Sequence, residues 1–112
     1  MIFEAKLEMI DSIAKITLSG ELDAATAPEF REKVEEAVEH KARRLVLLMN
    51  DLTYMASAGL RVMIFAKQSL GPGVDLYIVG AQESVVETIE MTGFHHGVIL
   101  RDSYDAAEIE NL

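Results

Sequence analysis

The chain contains no cysteine. A disulfide framework and a thiolate metal site are therefore excluded, and a reducing compartment, the cytoplasm, is expected. No apolar run approaches the roughly 20 residues that a helix needs to cross a bilayer. The start, Met1-Ile2-Phe3-Glu4-Ala5-Lys6, lacks the basic stretch and long apolar segment of a secretory leader. Neither a membrane span nor a signal peptide is expected. Asn and Gln are scarce, at two each, a leaning shared with thermostable chains. Positive charge is scarce too: 10 Lys and Arg stand against 19 Asp and Glu, for a net charge of −9 at pH 7. Such a chain repels nucleic acid and anionic membrane, so a charged partner is expected to be a basic protein surface. The cluster Lys41-Ala42-Arg43-Arg44 is too short to argue otherwise.

Signals for an enzyme are also missing. There is no phosphate-cradling Gly-rich loop with a Lys, since Gly71-Pro72-Gly73 reads as a turn, and no Gly-x-Ser-x-Gly. His95 and His96 are adjacent, so their side chains diverge and make a poor metal pair; they read as exposed loop histidines near a helix end. No catalytic residue, metal ligand or cofactor is expected.

What remains is a chain of 112 residues, half of them hydrophobic. That is enough for one core and one domain over residues 1–112. Phe3, Ala5, Leu7 and Met9 alternate with Glu4, Lys6 and Glu8, as in a half-buried strand. After an Asp11-Ser12 turn, Ala14, Ile16 and Leu18 alternate again, so a β-hairpin opens the fold. Gly20-Glu21-Leu22-Asp23 breaks the pattern. Thr26-Ala27-Pro28-Glu29 reads as a capping box, with Thr26 as N-cap. Phe30, Val34, Ala37 and Val38 continue at helical spacing, opposite a solvated face of Glu32, Glu35, Glu36 and Glu39. Lys41, Arg43 and Arg44 are expected to end this helix against its dipole.

Leu45-Val46-Leu47-Leu48-Met49 is apolar on both faces and belongs in the middle of a covered sheet. A short loop should then lead to a second helix with Leu60, Met63, Ile64 and Leu70 on its stripe. Val74–Val79 reads as a strand, Val85, Val86 and Ile89 as a short helix stopped at Gly93, Val98–Leu100 as an edge strand. A last helix is expected behind Asp102 or Ser103. The class is α/β: a mixed, mostly parallel sheet of four to five strands with about four helices, most on one face. The first strand offers a free edge, so a monomer or weak homodimer is expected.

Met55, Met63 and Met91 read as core fillers, although Met55 and Tyr54 would also suit an exposed contact patch. Ser57 has two readings. As the expected N-cap of the second helix it contributes about 1 kcal/mol over Ala. The same geometry aims its hydroxyl outward, where a phosphate would meet free helix N–H groups and add close to two negative charges. The small neighbours Ala56, Ala58 and Gly59 allow close approach.

Several segments together resemble the anti-sigma factor antagonists of the STAS domain family. They are Ile16-Thr17-Leu18-Ser19-Gly20-Glu21-Leu22-Asp23 with Thr26, the apolar strand 45–49, Leu52-Thr53-Tyr54-Met55-Ala56-Ser57-Ala58-Gly59-Leu60, and Met91-Thr92-Gly93-Phe94. The resemblance covers nearly the whole chain. It implies a STAS-like domain that binds a serine-kinase-type anti-sigma factor and releases sigma. It further implies that phosphorylation falls on Ser57 and that a phosphatase reverses it. The implied partner surface gathers Glu21, Asp23, Thr26, Tyr54, Met55, Ala56, Ala58, Gly59 and Arg61. Two positions depart from the family pattern: Ala56 stands where Asp is usual before the serine, and Leu48 where Asp or Asn is frequent near the end of the central strand. Together they are expected to strip polar support from the Ser57 loop. A constitutive interaction module with Ser57 as a mere cap is the second reading. A nucleotide or anion binder is the third, with Arg61 as its only evident cation.

Overall fold

The computed structural model describes residues 3–112; Met1 and Ile2, on which the reading of the leader partly rests, lie outside the described residues. The order is β1 (Glu4–Ile10), β2 (Ile13–Leu22), α1 (Ala27–Glu39), β3 (Arg44–Met55), α2 (Ser57–Leu70), β4 (Asp75–Val79), α3 (Glu83–Met91), a 3₁₀ turn (Phe94–Gly97), β5 (Ile99–Arg101) and α4 (Ala106–Ile109). The strands lie side by side in sequence order, β1-β2-β3-β4-β5. β1 and β2 are antiparallel; every later pair is parallel, because a helix intervenes. The hairpin turns at Asp11, whose φ of 53° is one an Asp tolerates.

Two cores form on the two faces of the sheet. Leu45, Leu47 and Met49 face the larger one, where Phe30 and Val34 of α1, Leu60 and Met63 of α2, and Val85 and Ile89 of α3 pack. Val46 faces the smaller one with Ile13, Tyr77, Val79 and Ile109. Thus α1–α3 cover one face and α4 the other. Each large side chain buried here stabilises by about 1.5–3 kcal/mol, so Phe30, fully enclosed, anchors α1.

Charge and hydrogen bonds hold the short α4. Arg44 donates to the carbonyls of Glu108 and Ile109 at 3.2 and 2.8 Å and pairs with Asp75 at 3.3 Å. Arg101 pairs with Glu108 at 2.7 Å, and its hydrogen bond holds that carboxyl below its ordinary range. Tyr104 donates to Glu110 and carries Lys15 over its ring, 4.2 Å from the centroid. Burial, then that hydrogen bond, raises the Tyr104 phenol well above its usual value.

Several local expectations need correction. β3 does not stop at Met49 but runs to Met55, so no loop precedes α2. Gly20 and Glu21 lie inside β2, at a register shift where Gly20 takes φ +89°. The cations 41–44 lie beyond α1, whose last turn holds none. The helix ends instead in a Schellman turn, Lys41 left-handed at φ 55°, with Ala42 N–H bonded to Ala37 O at 3.1 Å and Lys41 N–H to Val38 O at 2.9 Å. Asp105, not Asp102 or Ser103, caps α4 by accepting from Ala107 N–H at 3.0 Å. Met91 is 87% exposed rather than core. His95 is half-buried and packs against His96, with ring centroids 4.0 Å apart and the rings tilted by 37°.

Candidate functional site

The carboxyl ends of β2 and β3 bring two helix entrances together. Parallel pairing continues through Gly20 with Leu52, Glu21 with Tyr54 and Leu22 with Met55. Thr53 fills the irregularity by donating its hydroxyl to Gly20 O at 3.0 Å. Ala56 N–H then donates to Leu22 O at 2.8 Å, which fixes the start of α2 beside the turn that starts α1.

The α1 entrance is closed by its own polar groups. Asp23 Oδ1 accepts from the N–H groups of Ala25 and Thr26 at 3.0 and 3.1 Å. Thr26 Oγ1 accepts from Asp23 N–H at 2.9 Å and donates to Glu21 O at 2.9 Å, with Asp23 Oδ1 3.2 Å away. The expected capping box is therefore not formed: Thr26 occupies the N-cap position but already has helical torsions, φ −102° and ψ −16°, and makes no cap bond. Its hydroxyl turns back to Asp23, and Asp23 organises the turn as Asp side chains commonly do.

The α2 entrance is left open. Ala56, extended at φ −87° and ψ 172°, is the N-cap, and its methyl cannot accept a hydrogen bond. Ser57 is thus the first helical residue and not the cap, which corrects the expectation that it caps. One position too late, its hydroxyl bonds no backbone N–H. It is exposed, and among the described residues its Oγ accepts only from Arg61 Nη2, at 3.4 Å.

The other expected contact residues divide by burial. Glu21, Tyr54 and Arg61 are exposed, Tyr54 at 53%; Asp23, Thr26, Ala56 and Ala58 are half-buried. Met55 and Gly59 are inside, which removes both from the implied partner surface and bears out Met55 as a core filler. Met55 is only 4% exposed and belongs to the main core. A Cβ on Gly59 would lie 2.6 Å from Leu22 Cδ2 and 2.9 Å from Met55 Cγ, so this glycine lets α2 press onto the strand ends. Its small size serves packing rather than approach by a partner.

Between the entrances lies an open cleft of about 280 Å³, with Ala24, Ala27 and Pro28 on the α1 side, Ala58 and Val62 on the α2 side, and Arg31 and Arg61 as its cations. Arg31 went unnoticed in the sequence; its only signal there was its spacing, one helical turn beyond Ala27 and Pro28. The Arg31 guanidinium lies 3.9 Å over the Phe65 ring and 3.7 Å from Glu35. Among the described residues no group of three or more His, Asp or Glu side chains could hold a metal, and no helix is long and apolar enough to cross a membrane.

The STAS domain model matches residues 4–107. The chain belongs to the STAS domain family. It is 30% identical over 102 residues to a Bordetella bronchiseptica protein assigned as the anti-sigma factor antagonist BtrV, covering 90% of this chain and 88% of that one. The fold matches the crystal structure of an anti-sigma factor antagonist from Mycobacterium paratuberculosis with a TM-score of 0.88, at 20% identity over 98% of this chain and 96% of the other. It also matches the phosphorylated form of the Bacillus cell fate determinant SpoIIAA with a TM-score of 0.73, at 19% identity over 96% and 97%. The two structures establish the STAS fold.

On this STAS domain the two departures prove unequal. Ala56 sits at the α2 entrance, one residue before Ser57, and deprives the helix of a side-chain cap. Leu48 pairs with Thr17 and Val79 and packs on the smaller core, on the opposite face of the sheet. The expectation that Leu48 strips polar support from the Ser57 region is therefore corrected: a polar group at 48 would face the α4 side.

Proposed function

We propose that this protein is an anti-sigma factor antagonist that binds a serine-kinase-type anti-sigma factor through the surface around Ser57 and so frees sigma. Phosphorylation of Ser57 ends the binding and a phosphatase restores it. In this reading the protein acts in the cytoplasm, by binding and not by catalysis. The kinase transfers the γ-phosphoryl of ATP to Ser57 Oγ, releasing ADP and the hydroxyl proton.

The observation that carries the reading is the spare hydroxyl. Ser57 is exposed at the head of α2, and among the described residues no backbone group engages its Oγ. The relatives named as anti-sigma factor antagonists support the class. Exposed Glu21 and Tyr54, paired across the strand ends, offer contact area beside the serine. A phosphate there adds about two negative charges at the centre of such a contact.

The test mixes the protein with its cognate anti-sigma kinase and ATP and follows intact mass. One added phosphoryl group, absent in Ser57→Ala, is expected, together with binding that phosphorylation abolishes. A second reading is favoured by Ala56, which denies an acid to a kinase that reads one before its serine. It is a constitutive module, for which no phosphoryl gain accompanies tight binding that survives Ser57→Ala and is lost in Ser57→Asp.

A further inference from the structure

We propose that a phosphate on Ser57 is held by the protein's own arginines, Arg61 on α2 and Arg31 across the cleft on α1. The inference rests on the phospho-switch reading above and adds how the modified state is built. Arg61 Nη2 already stands 3.4 Å from Ser57 Oγ, four residues along the same helix face. A phosphoryl group puts acceptor oxygens one bond further out, within reach of a guanidinium that now touches the hydroxyl. The planar fork of Arg fits phosphate oxygens in pairs.

Arg61 is also uncommitted. In a chain with 19 acidic residues it makes no ion pair among the described residues. Ala56 leaves no carboxylate beside the serine to compete for it. The cleft of about 280 Å³ next to Ala58 is lined by Arg31 and Arg61 and by no acidic side chain. Arg31 is held between the helices by the Phe65 ring at 3.9 Å, while its link to Glu35 is long at 3.7 Å and solvent-exposed. Such an exposed pair exchanges at little cost. A phosphoserine carries about two negative charges at neutral pH, enough to engage both guanidiniums. Phosphorylation then does more than add charge. It withdraws the two cations that the unmodified face presents to a partner.

The test installs phosphoserine at position 57 during translation, by amber suppression in the full chain, so that no kinase is required. Phosphorus NMR follows the phosphate through its second ionisation, near pH 6 in free phosphoserine. The midpoint in the wild-type background should lie below that of Arg61→Gln by about half a unit or more, because a facing cation favours the dianion. Arg31→Gln should give a smaller rise, and Arg61→Lys should recover part of the depression. Coincident midpoints in wild type, Arg61→Gln and Arg31→Gln overturn the proposal. A shift in Arg61→Gln with none in Arg31→Gln overturns its two-arginine form. Binding of the anti-sigma partner by the same phosphoprotein separates the two inferences. A depressed midpoint with binding intact upholds the clamp and sinks the switch; lost binding with an ordinary midpoint does the reverse.

Discussion

The entrances of α1 and α2 are neighbours built on adjacent strand ends, and they use their polar side chains in opposite ways. At the first, Asp23 and Thr26 spend their oxygens on the turn itself, on N–H groups of residues 23, 25 and 26 and on the Glu21 carbonyl. At the second, the N-cap is Ala56 and, among the described residues, the Ser57 hydroxyl meets only Arg61. The first hydroxyl is structural and the second is spare, although both belong to Ser or Thr at a helix start. Thr26 is structural through the turn behind it, where its hydroxyl bonds Asp23 N–H and Glu21 O, and not through a cap. Ser57, already the first helical residue of α2, neither caps nor has such a turn behind it.

The second entrance must be held by something other than caps, and Gly59 supplies it. Gly59→Ala should cost about 2 kcal/mol, since a Cβ there drives into Leu22 and Met55. A urea midpoint unchanged from wild type would show that packing does not fix this end. Asp23→Ala should cost about 1.5 kcal/mol by freeing the N–H groups of Ala25 and Thr26. Ala56→Asp should erase the contrast by giving α2 a side-chain cap, raising stability by about 1 kcal/mol in the same assay; a loss would mean that the backbone at 56 does not present its side chain to the helix.

A third entrance, at α4, extends the comparison to pH. The Arg101 hydrogen bond lowers the Glu108 pKa in the folded state. The stabilisation this provides is present above the unfolded carboxylate pKa and fades as pH falls through the lower folded value. Denaturant midpoints should therefore fall between neutral pH and about pH 3, less steeply in Arg101→Gln. Equal slopes in the two chains would remove the pair from the account of how α4 is held.

The order of strands and helices was legible in the sequence because alternation is strong over residues 3–9 and 14–18, helical spacing over 30–38, and the run 45–49 is apolar throughout. The family motif carried Ser57 and the turn at 20–26. What escaped reading depended on single-residue register or on tertiary contact. The chain passes from strand to helix with only Ala56 between, so the cap moved off Ser57. Met55 is core as its type suggested, but the register shifts between β2 and β3 take it out of the implied partner surface, and Gly59 is buried with it because α2 presses onto the strand ends. Arg31 joined the site from another helix, which no local pattern predicts. Met91 read as core by its type, yet it ends α3 on the solvent side.

The Ser57 hydroxyl, unlike that of Thr26, is free of structural work in the turn beside it. The direct measurement is the urea midpoint of Ser57→Ala beside that of Asp23→Ala. Ser57→Ala is predicted to stay within about 0.5 kcal/mol of wild type, as surface substitutions do, while Asp23→Ala falls well below. A loss in Ser57→Ala as large as in Asp23→Ala would make the hydroxyl a cap after all and contradict the account.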